Sequence, residues 1–161
     1  MKKLYVWGNH HCESQNGFQR SFTQLITDHT ILPKPLFHEI ESFDGLSIRN
    51  LLDNLDSEPA LIIIITGDVD IREGGNEIDV FDQFDRLYYH LDVFDELKVV
   101  TCGLITEPSA DEEVEHQLAV TNFRLKNLPP TPKNSFVDVE RLFDESDFMF
   151  GDILNRQGLT N

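Results

Sequence analysis

PALIIIITGDVD, residues 59–70, places the unbroken apolar run Leu61 to Ile65 directly before Gly67 and Asp68. A strand with one wet face would alternate apolar and polar residues. This one does not, so it reads as buried on both faces and lies near the middle of a sheet. It is also far short of the roughly 20 apolar residues that a membrane span needs. Working outward, further strands are expected at residues 3–6 (ending at Gly8), 36–40, 97–104 and 135–139. Between them lie stretches of helical periodicity. Phe18, Phe22, Leu25 and Ile26 share one face of a first helix, closed by residues 28–33. Ile48, Leu51, Leu52 and Leu55 mark a second over 47–55. Phe81, Phe84, Tyr88 and Leu91 mark a third over 80–91, leaving Asp82, Asp85 and Arg86 for solvent. A fourth runs over 109–125, where Ser109 with Glu112 forms a capping box and Val114, Leu118 and Leu125 supply the buried stripe. Pro129, Pro130 and Pro132 end it, and residues 151–161 carry no clear strand. Strands alternating with helices predict an α/β fold: a three-layer αβα sandwich of flavodoxin-like type, with a parallel five-stranded sheet covered on both faces.

At 161 residues the chain has the size of a single domain, expected over residues 1–161. No repeat or linker divides it. Twelve Phe against two Met and one Trp assign much of the interlayer packing to Phe. The N-terminus shows no apolar signal region before the first strand, so a cytoplasmic location is expected. Two cysteines, Cys12 and Cys102, make no disulfide framework and read as reduced thiols. The formal net charge of −16 disfavours nucleic acid, because binding to phosphates rests on Lys and Arg displacing counterions. It favours solubility and would speed the approach of a basic protein partner.

In an open parallel sheet, ligands sit beyond the carboxyl ends of the strands where the winding reverses. The loops there hold Gly8, Asn9 and His10 after the first strand, Gly45 and Ser47 after the second, and Gly67, Asp68, Val69 and Asp70 after the third. Together with Phe136 to Val139 and the late run Leu154, Asn155, Arg156, Gln157, Gly158, these ordered blocks resemble the SGNH (GDSL-type) hydrolases over nearly the whole chain. The resemblance implies that fold and an acyl-transfer site. In such a site a Ser attacks an acyl carbon, a His takes its proton, an Asp orients the His, and backbone amides with an Asn side chain hold the oxyanion. Matched block by block, most of that machinery is missing here. Asn9 replaces the family Asp, His10 stands at the nucleophile, Gly45 retains its amide, and Val69 occupies the oxyanion Asn. The last block, Asp then two residues then His, aligns in two ways. One puts Phe150 and Ile153 at the acid and base positions, and the other keeps Asp152 but places Asn155 where His belongs.

The resemblance therefore points to a catalytically degenerate domain, a pseudoenzyme that binds or scaffolds, as the OSK domain of Oskar proteins does. Its ligand surface is expected at Asn9, His10, Gly45, Asp68, Asp70 and Arg72, for a protein partner or a small anionic ligand. Arg49 and Arg72 are the candidate anion anchors, although ion pairing at the surface is the plainer reading of each. No metal or cofactor is expected. His10, His11 and Cys12 are adjacent on a turn and point apart. The acidic run Asp68, Asp70, Glu73, Glu77, Asp79 misplaces the glycine and ligand positions of a calcium loop and reads as a solvated loop, with Asp70 holding it through backbone hydrogen bonds. Gly74 and Gly75 let that loop turn sharply. Two other readings stand beside this one. The first is an esterase or acyltransferase with a rebuilt site using His10 or Cys12 with Asp152, since Gly8 and Asn9 are also similar to the opening of WcbI-like polysaccharide-biosynthesis acyltransferases. The second is an acidic inhibitor or immunity-type protein for a basic partner. The apolar crowd Phe143, Phe148, Met149 and Phe150 supplies packing or a partner surface.

Overall fold

The computed structural model describes residues 3–9, 22–23, 36–40, 42–53, 55, 59–105, 111–129, 131–138, 148–149 and 153–154. Their elements run β1 (Lys3–Gly8), β2 (Leu36–Glu39), α1 (Gly45–Asp53), β3 (Pro59–Ile65), α2 (Asp68–Arg72), α3 (Glu77–Leu91), β4 (Lys98–Cys102), α4 (Glu112–Lys126), β5 (Asn134–Val137), β6 (Phe148–Met149) and β7 (Ile153–Leu154). The first five strands form one sheet in the order β2-β1-β3-β4-β5, every pair parallel. The apolar run 61–65 is thus the middle strand, as its lack of alternation requires. The winding reverses between β1 and β3, the point at which an open parallel sheet forms its crevice.

Side-chain alternation splits the core into two layers. On one face Tyr5, Trp7, Ile62, Ile64 and Val99 meet Ile48 and Leu51 of α1, Val80, Phe84, Leu87 and Leu91 of α3, and Leu118 and Leu125 of α4. On the other, Val6 and Ile65 pack with Phe22, Phe37, Ile63 and Cys102. Phe22 meets Phe37 edge to face at 6.2 Å. Phe22 and Thr23 are helical, as the first predicted helix requires, while Phe18, Leu25 and Ile26 lie outside the described residues. Phe84, fully buried, packs on Phe43 with ring centroids 4.7 Å apart. No helix among the described residues is long and apolar enough to cross a membrane.

Several boundaries differ from expectation, each for a local reason. The helix expected from Ser47 begins at Gly45, because the Asp44 carboxylate accepts from Ser47 N at 2.8 Å and so caps the first turn. The helix placed at 80–91 begins at Glu77, capped by Asn76, whose side chain accepts from Asp79 N. The fourth helix is capped by Asp111, which accepts from Val114 N at 2.9 Å, rather than by Ser109, which lies outside the described residues. Asp68 to Arg72, read as loop, is a short helical turn. Ile153–Leu154, where no strand was expected, pairs antiparallel with Phe148–Met149. Two-residue strands are too short to leave a period in the sequence.

Candidate functional site

Gly8 ends β1, and the chain stays in ladder geometry one residue further: Asn9 N donates to Ile65 O at 3.1 Å, and Ile40 N to Gly8 O at 2.8 Å. Asn9 is therefore held between the ends of β2 and β3 and is 1% exposed. Its side-chain amide donates to Asp68 Oδ1 at 2.6 Å. Asp68 Oδ2 in turn lies 2.9 Å from an Arg72 guanidinium nitrogen one helical turn on. The other terminal nitrogen of Arg72 donates to Ile105 O at 2.5 Å. One polar chain thus ties together the loops after β1, β3 and β4. The Asp68 and Arg72 side chains are only 3% and 11% exposed, so this ion pair is internal rather than the surface pairing expected for Arg72.

Asp70 faces the other way along the crevice. Its two carboxylate oxygens accept from Phe43 N at 2.9 and 3.1 Å, pinning the β2–α1 loop, and its own carbonyl accepts from Gly75 N at 2.8 Å. The backbone-holding role expected of Asp70 is what these bonds perform. Desolvation raises its pKa above the usual 3.8; the Phe43 bond opposes that, and repulsion from Asp68 and Asp44 adds to it. Asp44, nearer to solvent, is shifted down, chiefly by the Ser47 backbone bond. Gly67 reaches φ +107°, and a Cβ there would lie 3.2 Å from Phe84 and 3.3 Å from Val80. Only glycine meets both demands. Gly74, at φ +104°, and Gly75 form the sharp turn that follows α2. At Gly45 an added Cβ would lie 2.8 Å from a guanidinium nitrogen of Arg86, so Arg86, exposed as expected, also reaches the start of α1.

The structure brings together Asn9, Asp68, Asp70 and Arg72, with Gly45 starting α1 just after the loop that Asp70 pins. His10, Cys12 and Asp152 lie outside the described residues. Arg49 is exposed. Among the described residues no group of three or more His, Cys, Asp or Glu side chains is placed to hold a metal ion. Cys102 is a free thiol that burial pushes up to about 11, so it is protonated at neutral pH and a poor nucleophile. Sequence reading missed Asn122, whose amide brackets the backbone of Leu104: Oδ1 accepts from Leu104 N at 2.7 Å and Nδ2 donates to Leu104 O at 3.0 Å. It fixes the loop that offers Ile105 O to Arg72. The available signal was a polar residue on the apolar stripe between Leu118 and Leu125.

No protein-family model matches the sequence, and no curated protein matches it. Solved structures do. A member of the lipolytic G-D-S-L family from Veillonella parvula superposes with a TM-score of 0.78 at 14% identity, covering 99% of this chain and 93% of its own. A GDSL-like lipase from Bacteroides thetaiotaomicron gives 0.69 at 17% identity, over 99% and 82% of the two chains. A carbohydrate esterase of family 3 from Talaromyces cellulolyticus gives 0.68 at 14%, over 99% and 91%. With the strand order, the crevice and these likenesses together, the chain carries the SGNH (GDSL-type) hydrolase fold.

Proposed function

We propose that this chain is a non-catalytic SGNH-like binding or scaffolding domain, single over residues 1–161, whose ligand surface surrounds Asn9, His10, Gly45, Asp68 and Asp70. The observation that carries the reading is the Asn9–Asp68–Arg72 chain. Polar groups at the crevice are bonded to one another, and Val69 stands where the fold's hydrolases need an oxyanion donor. Acyl transfer needs a nucleophile, a base and a preorganised oxyanion site together, and losing all three leaves little of the mechanism. Arg72 has its charge matched by Asp68, so a ligand here meets a nearly neutral, hydrogen-bonding wall rather than a bare cation. The acidity of the chain supports a basic or neutral protein partner over nucleic acid, and a cytoplasmic setting fits its cysteine usage.

The test is hydrolysis of short-chain p-nitrophenyl esters by the unmodified protein and by His10→Ala and Cys12→Ala. The expected result is no turnover above the buffer rate from any of the three. Turnover abolished by either substitution overturns the proposal in favour of a rebuilt esterase or acyltransferase, the activity class for which the similar structures are named. The net charge of −16 favours a second reading, an acidic inhibitor of a basic protein. Capture of one stoichiometric basic partner at low salt that is also inhibited would select it.

A further inference from the structure

Beneath the crevice, on the core side, three polar atoms are buried with no hydrogen-bond partner among the described residues: Trp7 Nε1, Thr66 Oγ1 and Gln83 Oε1. Trp7 is 0% exposed and Thr66 is 3% exposed. A donor or acceptor left unpaired in the interior carries its full desolvation penalty, and native interiors pair such groups with protein or with ordered water. Strand register and the placement of α3 set the three around one strand end. Trp7 is the Cα partner of Ile64 across β1 and β3, and Thr66 continues the face of Ile62 and Ile64 one step past the strand end. Gly67 lies directly under Val80 and Phe84, so the turn of α3 that contains Gln83 covers this strand end. Gln83 lies on the flank of that helix facing α1, since Arg86, three residues on, reaches Gly45 and Phe43 packs on Phe84. Trp7, Phe43 and Phe84 share one core cluster.

Their chemistry selects the occupant. An indole N–H only donates, an amide oxygen only accepts, and a hydroxyl does both. A cation would face the indole proton and an anion the amide oxygen, and a hydrocarbon would leave all three unpaired. Water accepts from Trp7, donates to Gln83 and exchanges either bond with Thr66; two to four such partners are what a buried water requires. We propose that Trp7, Thr66 and Gln83 hold one internal water at the floor of the crevice, two residues along the chain from both Asn9 and Asp68, joining β1, β3 and α3 where apolar packing alone would leave polar atoms stranded. The proposal is independent of whether the crevice binds or catalyses.

Trp7 is the only tryptophan, so the protein has one indole N–H resonance and needs no substitution to assign it. In the unmodified protein that proton is expected to show a direct nuclear Overhauser effect to water, with the sign of a long-lived bound molecule. The effect should weaken or vanish in Thr66→Val and in Gln83→Leu. Thr66→Val, nearly isosteric, should also melt roughly 2–4 °C lower, the shift of a modest stability loss in a chain of this size. An indole proton with no water contact overturns the proposal. So does a contact that both variants leave unchanged, or a Thr66→Val protein that melts at or above the parent, because a hydroxyl with no partner has nothing to lose.

Discussion

Removing the guanidinium of Arg72 leaves the Asp68 carboxylate, in a place water scarcely reaches, without the opposite charge beside it. Breaking a buried pair from one side costs far more than the pair contributes, so Arg72→Met is expected to destabilise the fold by about 3 kcal/mol. A urea midpoint displaced by less than about 1 kcal/mol would show that solvent reaches the pair after all. Asp70 behaves differently, because its folded pKa is raised rather than lowered. Such a group favours the fold fully below its unfolded value near 3.8, and that contribution is lost as pH rises through the folded value. Asp70→Asn keeps an oxygen for Phe43 N and removes the charge. Its stability relative to the parent should therefore improve as pH rises above about 4 and level off once the folded Asp70 carboxyl has ionised. Paired thermal melts at rising pH check the slope, and a variant that loses stability relative to the parent as pH rises refutes it. Asn9, Gly45, Asp68 and Asp70 were legible as residues around the crevice because strand ends and their turn residues declare themselves. The partner of Arg72 was not, since an i,i+4 pair exists only once Asp68 to Arg72 is known to be helical.

Among the elements, the helix interiors were easier to read than their starts. Phe84 and Leu91 were correctly placed inside, while Phe81 and Tyr88 are only partly buried and Val80 and Leu87 complete the inner face. The expected stripe was rotated because one flank of α3 is also occupied: Phe81 lies under the Arg124 guanidinium at 3.9 Å, and Tyr88 OH bonds Thr101 Oγ1 at 2.6 Å. Periodicity reports the mean direction of burial and is silent about neighbours on either side. Starts depend on a single oxygen, which several nearby residues are able to supply. Asp111→Ala and Asn76→Ala should each cost about 1 kcal/mol, the usual value of an N-cap. Denaturant midpoints measure both. A neutral Asp111→Ala would mean that another oxygen takes over the cap of α4. Gly67→Ala, placed where β3 turns into α2, combines a left-handed φ with a Cβ against Phe84 and Val80. It should cost about 2–4 kcal/mol, adding the backbone term to the overpacking term.

Over the whole molecule, the strand order and the charge act on different ranges. The parallel order β2-β1-β3-β4-β5 fixes the crevice through contacts of a few ångströms between apolar layers. Charge acts across the surface, where 29 Asp and Glu face 13 Lys and Arg. The exposed or half-exposed pairs among the described residues, Arg124–Glu77, Lys126–Asp138 and Lys133–Asp92, contribute about 0–1 kcal/mol each. Self-repulsion among the unmatched carboxylates opposes compaction throughout the chain. Screening weakens both, but the pairs are short-ranged while the repulsion is long-ranged and falls as the Debye length contracts from about 30 Å at 0.01 M salt to about 8 Å at 0.15 M. The melting temperature is therefore expected to rise over that interval of sodium chloride, and to rise less in a variant whose exposed Asp82 and Asp85 are replaced by Asn. A midpoint that falls with salt would mean that paired charges outweigh unpaired ones, and that the acidity of this chain is spent on internal contacts rather than left facing a partner.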